Sequence, residues 1–308
     1  MASQKTAEIP MPQPKSSAKT HTGNVRAGNE DCFFCDDDLG LWLVADGMGG
    51  HEAGEVASAI TAQVIEEEIR KGSGLANAIQ KSHRDILAAA ERGQGARGMG
   101  STVVAIRQDT LGQWELGWVG DSRAYLWSQL NEAEGELQQL SRDHSYVQAL
   151  FDSGAITEAE MDNHPERNVI TQCLGSLEIP IVRVDSSRGE WKAGQKILLC
   201  SDGMSDEVND SEIANILNEY QDRDMALDKL LETALKNGGR DNVSIVLIEA
   251  PAAEAAASVI APPSSTPTTP LATTPATQTV SKSKILIEIA SAIAAAILLA
   301  ALLIHFFG

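Results

Sequence analysis

Residues 102–127 read TVVAIRQDTLGQWELGWVGDSRAYLW, and this stretch decides the fold. Thr102–Ile106, Trp114–Val119 and Ala124–Trp127 are short apolar runs rich in β-branched and aromatic side chains, which read as strands joined as hairpins. Working outward, Leu39–Ala45 (LGLWLVA), Lys196–Cys200 (KILLC) and Val243–Ile248 (VSIVLI) add further strands. Val56, Ile60, Val64 and Ile69 recur at helical spacing, with Glu and Lys on the other side. Further helices are expected over Leu75–Ala90, Asp210–Asn218 and Met225–Leu235. Hairpin strands with helices in pairs indicate a layered α+β domain, not alternating β-α units.

Composition narrows the class. The chain has 308 residues, 43 acidic and 24 basic, for a formal net charge of −19. A field of that sign repels phosphate backbones, so no nucleic-acid partner is expected. Hydrophobic content of 43% is that of a folded protein, and four cysteines are too few for a disulfide scaffold at this length. Residues 1–20 contain Pro10, Pro12 and Pro14 and no apolar run, so they read as a flexible arm without a signal peptide. The folded domain is expected over 21–249, and 250–284 reads as an Ala/Thr/Pro-rich linker. Residues 285–307, ILIEIASAIAAAILLAALLIHFF, carry Glu288 as their one charge at neutral pH and are long enough to span a bilayer. Lys282 and Lys284 precede this run. The expectation is therefore a C-terminal transmembrane tail anchor with the folded domain on the cytoplasmic side of the lipid bilayer.

Aspartates sit where apolar strands end. Asp46 follows LWLVA and opens DGMGG; Asp202 follows KILLC and opens SDG; Asp121 follows GWVG; Asp241 precedes NVSIVLI. Each alone fits an ordinary turn. Four carboxylates brought together would repel one another without cations, and their hard oxygens favour Mg²⁺ or Mn²⁺ over Zn²⁺. Arg26-Ala27-Gly28-Asn29-Glu30-Asp31 sets a guanidinium, a bidentate partner for phosphate, just before two more carboxylates.

The ordered set RAGNED, VADGMGGH, GSTVV, VGDSRAYL, LCSDG and GGRDNVSIVL resembles the metal-dependent protein phosphatases of type 2C in their bacterial form, over about residues 21–248. The resemblance implies a four-layer α-β-β-α sandwich with two central antiparallel sheets. It also implies Mn²⁺ or Mg²⁺, two ions per domain with room for a weaker third. The implied activity is hydrolysis of phosphoserine and phosphothreonine in phosphorylated proteins, opposing Ser/Thr protein kinases, by a hydroxide held between the ions.

Carried over by position, Asp46 would bridge the metals, Asp202 and Asp241 would complete the first, and Gly47 would offer its carbonyl to the second. Glu30 and Asp31 would act through water, Asp121 would help hold the third ion, and Arg26 would clamp the substrate phosphate. Asn242 would orient Asp241. Met48 replaces the histidine that many relatives carry there, which leaves the proton donor open, and His51 reads equally as a helix cap. Residues 145–175 resemble the family's flap beside the site.

Other motifs carry less. Gly93–Gly98 matches GxGxxG but follows a helix and precedes a strand, the reverse of a dinucleotide site. Cys32 and Cys35 would point to opposite faces of a strand and have no second pair to complete a zinc site. Two rivals to a protein phosphatase stand at this point: a phosphoprotein-binding module without turnover, and an enzyme acting on small phosphate esters.

Overall fold

The computed structural model of the chain describes residues 13–50, 53–109, 112–131, 134–161 and 163–251. The six predicted strands are present, each within two residues of the expected ends: β3 (Leu41–Ala45), β6 (Val103–Gln108), β7 (Gln113–Val119), β8 (Arg123–Gln129), β11 (Gln195–Cys200) and β12 (Val243–Glu249). They join β1 (Lys15–His21), β2 (Cys32–Asp36), β9 (Gly135–Gln139) and β10 (Asp185–Glu190) in two five-stranded antiparallel sheets. One runs β1-β12-β11-β8-β9 and the other β10-β7-β6-β3-β2.

Side-chain alternation builds the layers. Leu41, Leu43 and Ala45 of β3 pack on α1 (Ala53–Arg70) and α2 (Leu75–Glu91), meeting Ala57, Ile65, Ile79 and Ile86. The intervening Trp42 and Val44 face the other sheet, against Leu199, Val246 and Ile248. On the far side, Val243, Ile245 and Leu247 of β12 pack under α6 (Asp210–Glu219) and α7 (Arg223–Asn237) through Ile213, Leu217, Leu227 and Leu230. Strands buried on both faces explain why LWLVA and KILLC are continuous apolar runs. The α6 start is fixed by a capping box, in which the Asn209 side chain accepts the Glu212 N–H and the Glu212 carboxylate accepts that of Asn209.

Two expectations need correction. The expected arm enters the sheet at Lys15: β1 pairs with β12 from Lys15–Glu249 to His21–Val243. KSSAKTH was hidden because an edge strand is held by backbone hydrogen bonds and needs few apolar side chains. The segment over 145–175, read as a flap, is partly helical. It carries α3 (Tyr146–Asp152) and α4 (Glu158–Met161), with the Ser145 hydroxyl accepting the Gln148 N–H at 3.3 Å. The second concerns the fold class, which over the described residues is the two-sheet sandwich without an added membrane helix. No helix among the described residues is long and apolar enough to cross a membrane. The 285–307 run, the linker beyond Pro251 and His51 lie outside the described residues.

Candidate metal centre and active site

The predicted site residues gather at one edge of the sandwich, where strands from both sheets end. Asp46 ends β3; its N–H donates to Thr102 Oγ1 at 3.1 Å, and its carbonyl accepts the Thr102 N–H at 2.8 Å. The Thr102 hydroxyl shares a 2.7 Å hydrogen bond with Ser122, which ties the Asp46 turn to the turn carrying Asp121. Gly47 and Met48 form β4, paired with Gly100 and Ser101 of β5. A Cβ on Gly47 would stand 2.1 Å from the Gly54 carbonyl oxygen and 2.5 Å from that of Glu30, so the Asp-Gly turn is clamped between α1 and the 28–31 loop. Asp202 begins α5 (Asp202–Ser205) just past β11. A Cβ on the next residue, Gly203, would lie 2.0 Å from the Asn242 carbonyl. These turns admit glycine alone because other backbone passes directly over them.

Removal from water, followed by repulsion from Asp202, Asp31 and Asp121, pushes the Asp46 carboxyl well above the usual carboxylate range. Burial does the same to Asp202, reinforced by Asp121, Asp206 and Asp241. Burial raises Asp121 to about 7 and Asp31 to about 6. Ser201 donates to Asp31 Oδ2 at 2.8 Å and receives the Ser244 N–H at 3.0 Å.

Asp241 lies near enough to Asp202 to repel it and also meets Arg26. Its Oδ2 accepts from Arg26 at 2.5 Å, so the proposed phosphate clamp rests on a proposed metal ligand at the rim. Asn242 lies behind it and ties down the 22–30 loop. Its Oδ1 accepts the Glu30 N–H at 2.7 Å, and its Nδ2 donates to the Thr22 and Gly28 carbonyls at 2.8 and 2.9 Å. The Glu30 carboxylate lies over Gly54, where a Cβ would come within 2.6 Å of Oε2.

Among the described residues no three His, Cys, Asp or Glu side chains already close around a single point as an ion's ligands. The donor set nonetheless suits a hard divalent cation. Asp31 Oδ1, Asp121 Oδ1 and Asp202 Oδ1 are buried oxygens with no hydrogen-bond partner, amid carboxylates that repel one another. Positive charge compensates such a set, and all-oxygen ligation favours Mg²⁺ or Mn²⁺.

Several side chains around the site have positioning roles that no local motif assigns. Arg123 forks onto Asp143 with contacts of 2.7–3.1 Å and holds the Asp121 turn from below. His144 Nδ1 faces the Gly120 N–H and the Gln172 amide, both at 3.0 Å, and so joins that turn to the returning end of the flap. Such pairings link segments distant in the chain and leave no local pattern; the adjacency of Asp143 and His144 was the one visible signal. Cys32 and Cys35 are free thiols that pack on opposite faces of β2, one in each core.

The fold and site define a class: an α+β sandwich with carboxylates from both sheets gathered at one edge for a divalent cation. Residues 20–247 match the family model of protein phosphatase 2C, and the chain belongs to that family. It is 37% identical over 241 residues to the serine/threonine protein phosphatase PstP of Mycobacterium tuberculosis, covering 76% of this chain but 44% of that protein. It is 33% identical over 244 residues to the serine/threonine phosphatase stp of Listeria monocytogenes, covering 75% of this chain and 94% of that one. Among solved structures, that of M. tuberculosis PstP matches with a TM-score of 0.69 and 35% identity, over 78% of this chain and 99% of that one. A structure of the PstP catalytic domain in complex with two manganese ions matches at 0.67 and 34% identity, over 78% of this chain and 99% of that one.

Proposed function

We propose that the chain is a metal-dependent protein phosphatase that hydrolyses phosphoserine and phosphothreonine in proteins, reversing the work of Ser/Thr protein kinases. The observation that carries this reading is the group of buried, mutually repelling carboxylates around Asp46 and Asp202, with Arg26 at its mouth. The two manganese ions of the PstP catalytic domain support Mn²⁺ or Mg²⁺ as the cation here.

Asp46, Asp202 and Asp241 would hold the metals, with the Gly47 carbonyl beside them, Glu30 and Asp31 acting through water, and Asp121 serving a third ion. When bound, the ions act as Lewis acids that neutralise phosphoryl charge and make water a competent nucleophile at neutral pH. The chain's residues position the reactants. Arg26 is exposed on its outer side and has guanidinium donors beyond the one given to Asp241, so it can fork onto a phosphoryl group at the rim. Ser201 and Asn242 fix Asp31 and the Glu30 backbone, which keeps the loop bearing Arg26 in register with β12.

The test is phosphate release from a phosphothreonine peptide by the full chain, with Mn²⁺, with EDTA, and with Asp202→Asn alongside. Release that needs the metal and disappears in the variant is expected. A folded protein that binds the peptide but releases no phosphate with any divalent metal would make it a phosphoprotein-binding module instead.

A further inference from the structure

A cavity of about 710 Å³ opens between the flap and the start of α6. Asp121 and Asp202 stand in its wall, so it is continuous with the metal-site carboxylates. That volume is typical of a ligand-binding cleft and far exceeds the needs of one ion or one phosphoryl group. Its charge is one-sided. Asp143 is neutralised by Arg123 and Asp206 by Arg167 at 3.2 Å. Glu158 on α4 and Asp210 at the start of α6, on opposite walls, are exposed and have no hydrogen bond or ion pair among the described residues. Asp121 is 8% exposed, and its Oδ1 has no partner. Asp121 belongs to the metal edge, so the charge left for a partner in this wall is that of Glu158 and Asp210, and two such carboxylates facing a cleft favour positive charge.

We propose that this cleft receives a cationic stretch of the substrate protein, with Lys or Arg side chains next to the phosphoresidue held by Glu158 and Asp210. The inference rests on the phosphatase reading and specifies its substrate class. The aliphatic stems of such side chains have apolar surface to lie on, because Phe151 and Met161 of the flap line the same space. With the phosphoryl group at Arg26 and the metals, the neighbouring residues of a bound peptide enter the cleft past Asp121. An acidic segment would meet like charge there, in a chain already at −19.

The experiment uses the full chain with Mn²⁺ and two phosphothreonine peptides of equal length, flanked by Arg or by Glu, with p-nitrophenyl phosphate as a small ester. Two partly exposed ion pairs are expected to favour the Arg-flanked peptide by about fivefold in kcat/KM at low salt. The difference should lie in KM and shrink as ionic strength rises. The Glu158→Gln/Asp210→Asn double variant, with folding checked by circular dichroism, should bring the ratio to within about twofold. Equal rates on the two peptides by the unaltered chain would overturn the inference while leaving the phosphatase reading intact. A preference that survives in the double variant overturns it as well. Hydrolysis of the ester but of neither peptide, or of nothing at all, removes the protein-phosphatase reading and the inference together.

Discussion

Asn242 and Glu30 are joined by a 2.7 Å hydrogen bond from the Glu30 backbone N–H to the Asn242 side-chain oxygen, across 212 positions of sequence. The same amide donates to Thr22 and Gly28, so one side chain organises the loop that bears Arg26, Glu30 and Asp31. The Asp-Asn pair thus works by different means at its two members. Asp241 faces the site, and Asn242 faces the loop behind it.

Asn242→Ala should therefore destabilise the protein by about 1–3 kcal/mol, since it removes three hydrogen bonds to partly buried or exposed backbone groups of the loop. Asn242→Asp keeps the acceptor for Glu30 but loses both donors, and should fall between. Urea denaturation of the two variants checks this. A midpoint for Asn242→Ala equal to the wild type would show that the loop holds itself.

Gly203→Ala and Gly47→Ala should each cost at least about 1–3 kcal/mol, because a methyl group meets backbone oxygens at 2.0 and 2.1 Å that cannot swing aside. Gly28→Ala is the comparison within the same region: nothing lies within 4 Å of its Cβ position, and its stability should stay within about 0.5 kcal/mol. Thermal melts that rank Gly28→Ala with the other two would contradict the close packing of the turns.

The Arg123–Asp143 pair lies under the Asp121 turn with the Asp143 carboxylate almost wholly buried. Asp143→Ala should lose about 3–5 kcal/mol, since it strands the guanidinium in protein. Replacing both partners with apolar residues of similar size should recover much of that loss. A double variant no more stable than Asp143→Ala would show that the turn needs the charges themselves.

pH dependence follows from the raised carboxyls. Asp31 at about 6 and Asp121 at about 7 titrate above the value of 3.8 for an ordinary aspartate, so their protonated forms are favoured in the folded state. The stability they contribute is complete below about pH 4 and is lost as pH rises through 6 and 7. In EDTA, the melting temperature is expected to fall between pH 5 and pH 8. In millimolar Mn²⁺ the fall should flatten or reverse, because cations compensate the ionised carboxylates better as pH rises. Identical profiles with and without metal would disprove the assignment of these side chains to a cation site.

Much of the fold was legible because its central strands are apolar on both faces. LWLVA, KILLC and VSIVLI announce themselves, and the aspartates at their ends mark where the chain leaves the core. Edge strands were not legible: β1 is KSSAKTH and β10 is DSSRGE, which fit their sheets chiefly through backbone pairing, with few apolar side chains to announce them. The site was legible as a set of carboxylates and glycines, but not as a set of contacts. That Asp241 lies against Arg26, or that Asp31 hangs from Ser201, depends on packing between segments over 150 positions apart, which no local spacing encodes.

The place of β12 between β1 and β11 has a consequence for biosynthesis. Among the described strands, β1 is the first to be synthesised and pairs only with β12, which is the last. Asp241 and Asn242 immediately precede that last strand, so the 22–31 loop has nothing to be pinned against while translation continues. A nascent chain can assemble the helical layer over β3 and β6 early, but it cannot complete the carboxylate edge. The carboxylate edge is complete only once β12 lies between β1 and β11, and such long-range closure is intrinsically slow.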